Sequence, residues 1–288
     1  MSGRPTARPP TDPFRFLRRD RKIIGRRSGI VESADVRGVW SLRQEIALAY
    51  IDPTGRGLEI GPAFQPLAPK AMGFDVTILD HAPTDAIRAK YAALGLDQPR
   101  VDLIEDVDAV WTGGSYDVPG LNPPYDWIVA AHVIEHTPDP IGFMLDLSGL
   151  LAPGGRLVLV IPDKDFTYDH HRPLSTPGQM LDAHLNPSDW ATPGMVLDHF
   201  AFHVTRGSEI AWHRESAPAE FRSTYTLEHA VAETKSVIDG AALDIHRWVF
   251  NPENFRFAFD ALEEWLGGLR VVGSHPTAGC EFFVTVGN

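Results

Sequence analysis

Apolar residues in the central part of the chain fall into short blocks separated by turn residues. Leu58-Glu59-Ile60 runs into a glycine-proline turn within GRGLEIGPAFQPLAP at 55–69. MGFDVTILDH at 72–81 reads as a second strand ending on Asp80, and APTDAIRAKYAALG at 82–95 as a helix. VDLIEDVD at 101–108 predicts a third strand and its exit. YDWIVAAH at 125–132 is nearly all apolar, as expected of a strand buried on both faces. DPIGFMLDLSGLL at 139–151 predicts a helix stopped by Pro153-Gly154-Gly155, and RLVLVIPD at 156–163 a fifth strand. A helix over 35–50 precedes this series. NPENFRFAFDALEEWLGG at 251–268 predicts a capped helix, and 269–288 an antiparallel hairpin. The alternation of strands and helices predicts an α/β fold. It is a doubly wound, seven-stranded, Rossmann-like sheet whose last strand is antiparallel. Between strand five and the late helix lies a less regular insert, 164–250.

Composition narrows the picture. The longest apolar runs, such as LVLVIP at 157–162, are strand-sized, so no transmembrane segment is expected. A single cysteine, Cys280, excludes an internal disulfide and fits a reducing, cytoplasmic setting. Residues 1–28 carry nine Arg and Lys against Asp12 and Asp20, whereas the whole chain has a net charge of −12. The acidic body repels a phosphate backbone, so nucleic acid is not an expected partner. The head 1–28 is read as a flexible basic segment, and 29–288 as one domain containing the insert.

Such a sheet binds ligands beyond the carboxyl ends of its strands, where the strand order reverses. A dinucleotide would need G-x-G-x-x-G around its pyrophosphate. Only the first glycine, Gly61, is present. S-adenosylmethionine has no pyrophosphate, and a looser turn suffices for it. Asp80 is placed to accept from the ribose hydroxyls, and Asp106, at the expected end of strand three, from the adenine amino group. Glu59, Gly61, Pro62, Asp80, His81, Asp106, Val107 and Ala131 are the expected cofactor-binding residues.

Two motifs overlap in NPPYDWIVAAHVIEH at 122–136. Asn122–Tyr125 spells the tetrapeptide of amino-methyltransferases acting on DNA bases, but it precedes its strand and so lies at the wrong end of the sheet. The H-x-x-E-H pattern of His132, Glu135 and His136 spells a zinc-peptidase motif. That motif needs both histidines on one regular helix, whereas His132 closes a strand.

The order LEIGP, LDH, YDWIVAAHVIEH, LLAPGGRLVLVIPD and a terminal hairpin resembles the class I S-adenosylmethionine-dependent methyltransferases over about 57–163 and 251–288. Ala63 and Gln65 depart from it, standing where two glycines are expected. LEIGPAFQPLAPK, IPDKDFTYDHHRPLS and GCEFFV resemble a bacterial branch found beside glycosyltransferases in polysaccharide pathways. There is a fainter likeness to the sugar O-methyltransferases of mycobacterial methylmannose polysaccharides. The resemblance implies O-methylation of a sugar or oligosaccharide hydroxyl, with the insert binding substrate. H-x-x-E-H also resembles the E-x-x-E-H metal site of ubiquinone-pathway O-methyltransferases. That likeness makes His132, Glu135 and His136 candidate ligands of Mg²⁺ or another divalent cation; in the alternative reading the Glu-His pair only braces the cofactor loop.

A sugar hydroxyl needs a base. The candidates are His170 and His171, oriented by Asp169 or Asp163, together with His132 itself; Asp198-His199 is a lesser pair. The insert holds eight of the twelve histidines, and Trp190, Trp212, Tyr225 and Trp248 suit stacking on sugar rings. The expected partners are a carbohydrate acceptor and a second copy of the chain in a homodimer. A nucleotide-sugar glycosyltransferase and a non-catalytic S-adenosylmethionine-binding protein are the competing readings.

Overall fold

The computed structural model describes residues 40–188 and 190–288. The basic segment 1–28 lies outside them, as does the start of the helix expected over 35–50. The described part of that helix is α1 (Leu42–Ala47), closed at its start by a Ser41–Gln44 capping box. Strands β1 (Gly57–Ile60), β2 (Val76–Asp80), β3 (Ala109–Val110), β4 (Tyr125–Ala131) and β5 (Leu151–Pro162) follow. They alternate with α2 (Thr84–Ala93), α3 (Gln98–Val101) and α4 (Pro140–Gly149). The insert contributes α5 (Pro177–Leu185), α6 (Pro193–Phe202), the hairpin of β6 (Val204–Arg206) and β7 (Phe221–Ser223), and α7 (Leu227–Ile238). Helix α8 (Pro252–Ala261) and strands β8 (Arg270–Ala278) and β9 (Glu281–Gly287) complete the chain.

The main sheet has seven strands in the order β3-β2-β1-β4-β5-β9-β8. Strand β9 runs antiparallel to both neighbours, and the other pairings among β1 to β5 are parallel. This is the doubly wound Rossmann-like architecture expected from the sequence. Alternate residues of the central strands feed opposite faces. Ile128, Ala130, Leu157 and Leu159 join one apolar cluster with α4 and α8. Trp127, Val129, Val158 and Val160 join the other, with Ala47 and Leu48 from the α1 region. Gly57 is required where β1 passes Trp127, because an added Cβ would lie 2.1 Å from the indole ring.

Strand three differs from its expectation. Asp97 caps a short helix, α3, with Pro99 in its first turn, and residues 102–108 form no strand. Acidic side chains at 102, 105, 106 and 108 break the apolar alternation, and pairing with β2 is confined to Ala109–Val110.

The insert is more regular than its sequence suggests. Thr176, Thr192 and Thr226 each accept a backbone N–H at a helix start, and proline follows the first two. Helices α6 and α7 share a small core of Val196, Phe200, Ala230 and Ile245. At the base of the insert, Asp163 and Phe250 lie side by side in a parallel bridge, and the Lys164 N–H donates to the Phe250 carbonyl at 2.8 Å.

Candidate active site

The strand order reverses between β1 and β4, so their carboxyl ends open onto a common crevice. Gly61 leaves β1 with φ +61, and an added Cβ there would meet only Val133, at 3.8 Å. The turn therefore has room above it. Glu59 is fully committed to shaping this turn, since its two oxygens accept from Leu67 and Ala68 N–H at 2.7 and 3.0 Å. Burial pushes its carboxyl up to about 7, outweighing those two bonds. Pro62 is buried and accepts from Gln65 N–H, while Ala63 takes a left-handed φ of +49 without being glycine.

Asp80 closes β2 and is 8% exposed. Its Oδ1 accepts from the His81 backbone N–H at 2.7 Å and pairs with His81 Nδ1 at 2.5 Å. Oδ2 takes no part in these bonds and suits a ligand hydroxyl. His81 Nε2 lies 3.4 Å from Lys90 Nζ. Asp106 does not end a strand. It is 78% exposed and pairs with Arg88 at 3.0 Å, and Val107 N–H donates to Thr84. The residue that does leave β3 beside Asp80 is Trp111, whose N–H donates to the Asp80 carbonyl and whose ring stacks on Tyr116 at 4.7 Å.

Ala131 ends β4, and His132 follows it. His132 adopts φ +54, a left-handed conformation costly for a residue with a Cβ. Its Nε2 is 2.7 Å from Glu281 Oε2, and its side chain stays 38% exposed. Glu281, at the start of β9, is gripped on both oxygens by Arg43 from α1, at 2.6 and 3.1 Å. The Arg43–Glu281 pair brings together residues far apart in the chain, and neither was a sequence candidate. The only local sign was a carboxylate opening an otherwise apolar strand.

Glu135 and His136 occupy a single 3-10 turn, Ile134–His136, not a regular helix. The structure groups them with His246, from the end of the insert, and not with His132; one ligand atom from each lies within 4.8 Å of the others. These residues could hold a metal ion. His136 is raised to about 9: burial lowers it, but Asp244 and then Glu135 and Asp169 outweigh that.

His170 and His171 are not served by the carboxylates expected to orient them. Asp169 binds Arg172 at 2.7 Å and His246 at 2.5 Å, and Asp163 is hydrogen-bonded to Thr277. His170 stacks on Phe221 at 4.4 Å, with His171 beside it. Burial, first of several causes, lowers the His170 pKa. His199 is buried against Tyr168 and His203, and its pKa lies well below the usual value, chiefly through burial. Of the expected sugar platform, Trp212 and Trp248 are buried and Tyr225 is half-buried against His229, while Trp190 is 45% exposed. The Asn122–Tyr125 loop contains a cis Pro123–Pro124 bond and enters β4 at its amino end. It is roughly 20 Å from Ala131 at ~3.3 Å per residue.

A family model described as a methyltransferase domain matches residues 35–216. No curated protein sequence matches the chain significantly. Among solved structures, the CcbJ methyltransferase from Streptomyces caelestis is similar at 16% identity and a TM-score of 0.41, over 84% of this chain and 93% of that one. The glycopeptide N-methyltransferase MtfA, complexed with sinefungin, is similar at 14% identity and 0.41, over 90% of each chain. A DhpI–SAH complex is similar at 15% identity and 0.37, over 80% and 75%. The family match spans more than half of the sequence and includes the Gly61 turn, Asp80 and the end of β4. The chain belongs to the methyltransferase-domain family, in the class I S-adenosylmethionine-dependent group that its sequence resembles.

Proposed function

We propose that the protein methylates a hydroxyl of a sugar or oligosaccharide, with His132 as the base and the insert 164–250 as the acceptor-binding part. The observation that carries this reading is His132 itself: a strained, partly exposed imidazole at the carboxyl end of β4, backed by a buried carboxylate. The turn at Gly61 and the Oδ2 of Asp80 fit the amino-acid and ribose parts of S-adenosylmethionine. That cofactor supplies an electrophilic methyl on a sulfonium, open to in-line attack.

His132 holds its Nε2–H on Glu281, which leaves the Nδ1 lone pair to take the acceptor proton. Glu281 then faces an imidazolium and stabilises it, while Arg43 keeps the carboxylate in place. With the cofactor bound, the acceptor oxygen would take the methyl in place of the proton passed to His132, and the sulfur would keep the electrons of the broken carbon–sulfur bond. Alignment supplies most of the remaining acceleration. The resemblance to the polysaccharide-linked branch and the polar character of the insert support a sugar acceptor. Membership of the methyltransferase family stands against glycosyl transfer from a nucleotide sugar.

The test is labelled-methyl transfer to a panel of mono- and oligosaccharides. His132→Asn keeps a residue that tolerates the left-handed backbone. It should lower kcat by ~10²–10⁴ while S-adenosylhomocysteine affinity is kept. Transfer to amines alone, or full turnover in His132→Asn, would sink the reading.

A further inference from the structure

Next to the proposed base sits a carboxylate that nothing among the described residues satisfies. Glu135 is completely buried, and neither of its oxygens has a hydrogen-bond partner among the described residues. An isolated ionised carboxylate is among the most costly groups to bury, so it calls for a cation or donors. Imidazole nitrogens surround Oε1: His132 Nδ1 at 3.6 Å, and His136 Nε2 and His246 Nε2 each at 3.9 Å. These separations are too long for hydrogen bonds. They are natural for atoms sharing one ion, because two ligands at ~2.1 Å from a metal can lie up to ~4.2 Å apart.

Two of the imidazoles are also prepared from behind. His136 Nδ1 lies 2.7 Å from Asp244, and His246 Nδ1 lies 2.5 Å from Asp169, which Arg172 holds in turn. With each Nδ1 engaged by a carboxylate, each Nε2 is the nitrogen that faces Glu135, and an entering cation would displace a proton held there. Carboxylates placed this way fix the ring and tautomer of metal-binding histidines. The backbone enforces the meeting. Arg247 and Trp248 N–H both donate to the Glu135 carbonyl, at 2.7 and 3.1 Å, and Trp248 Nε1 donates to the Thr137 carbonyl at 2.7 Å. His246 is thereby locked against the 135–137 turn from more than a hundred residues away.

We propose that Glu135, His136 and His246 bind one first-row divalent ion of the Zn²⁺, Mn²⁺, Fe²⁺ or Co²⁺ type, and not Mg²⁺. Two imidazole nitrogens and one carboxylate oxygen suit borderline ions, whereas Mg²⁺ takes oxygen ligands and keeps its water. Three protein ligands leave positions open, and His136, 33% exposed, marks the accessible side. His132 is turned to Glu281 by its Nε2 and stands beside the ion as the base. The purpose of the ion rests on the methyl-transfer reading: an acceptor oxygen on an open position would lose its proton more readily. Its binding does not depend on that reading.

The experiment uses the full chain with any histidine tag removed. Metal is measured by mass spectrometry, stripped with dipicolinate, and replaced by Co²⁺, whose visible bands report nitrogen-oxygen ligation. The expected result is about one equivalent of ion per chain, and a melting temperature raised by Zn²⁺ or Co²⁺ but not by Mg²⁺. Both responses should be lost in Glu135→Gln, which preserves side-chain shape, and in His246→Gln. Stripped, folded protein that takes up none of Zn²⁺, Mn²⁺, Fe²⁺ or Co²⁺ would overturn the proposal. So would a folded Glu135→Gln that keeps the wild-type uptake. Calorimetry with S-adenosylhomocysteine on the same samples separates the two ideas. Ion uptake without cofactor binding overturns the methyl-transfer reading alone, and cofactor binding without ion uptake overturns the ion site alone.

Discussion

Glu281 and Glu135 are both buried, and both come within reach of His132, yet their surroundings are opposite. Glu281 is saturated, with Arg43 on both oxygens and His132 on one. Glu135 has imidazoles around it and a hydrogen bond from none. The first region is finished as a protein structure: its charges cancel internally, and in the proposed mechanism its work is to hold a base. The second is finished only when something positive enters. On the proposed readings, one short motif, His132 to His136, serves two chemical tasks on its two sides.

The largest effect expected from breaking this contrast is Glu281→Gln. It leaves Arg43 buried without its counter-charge, which should cost ~3–5 kcal/mol in denaturant unfolding. The acid limb of stability should change with it. Burial raises the Glu281 carboxyl, but the bonds and charges of His132 and Arg43 outweigh that and hold it at about 2, against an ordinary 4.5. A depressed folded value means the contribution is complete above pH 4.5 and lost as pH falls towards 2. Glu281→Gln should flatten that part of the curve, and an unchanged acid limb would mean the pair is not formed in solution.

The next effect sharpens the contrast by adding ion. At a free ion concentration 100 times Kd, loading should stabilise the wild type by ~2.7 kcal/mol. That increment should vanish in Glu135→Gln and survive in Glu281→Gln, provided the latter stays folded. An increment that disappears in both would mean the two regions are one site. Asp80→Ala tests the cofactor side independently, with an expected loss of ~1.5–3 kcal/mol in S-adenosylhomocysteine binding by calorimetry. The smallest effect expected is Ala63→Gly. It relieves a left-handed alanine and should raise stability by up to ~1 kcal/mol, partly offset by the freer unfolded chain. A loss of stability would show that the Ala63 methyl is packed usefully in the turn.

Local pattern carried the sheet. Leu58–Ile60, Val76–Asp80 and Tyr125–Ala131 are apolar runs ended by turn or polar residues, which marks them as strands, and their alternation with helices points to parallel pairing. The exception is strand three, where Asp97, Gln98 and Pro99 were a legible helix start that the apolar residues at 101, 103 and 104 obscured. The candidate site was legible only where it lies at a strand end: Gly61, Asp80 and His132. Arg43, Glu281, Asp244 and His246 reach it through contacts between distant segments, which no periodicity encodes. Asp169 illustrates the limit. Its neighbours in sequence, His170 and His171, suggested one partnership, and the fold gives it His246, 77 residues on. The insert helices were announced by Thr176-Pro177 and Thr192-Pro193, but their short, weakly alternating apolar positions hid them.

The bridge between Asp163 and Phe250 has a consequence for how such a protein can change over time. The chain departs from the sheet and returns to it at adjacent points, so the stretch between them can vary wherever it does not pack on the main core as Met180 and Trp248 do. Doubling the length of a flexible excursion adds only ~0.6 kcal/mol of closure cost, so the sheet tolerates wide variation there. Asp169, Asp244 and His246 all travel with that stretch, whereas Glu135 and His136 stay behind. On the proposed reading, recombination at these two points would move acceptor range and half of the histidine cluster as a single heritable trait.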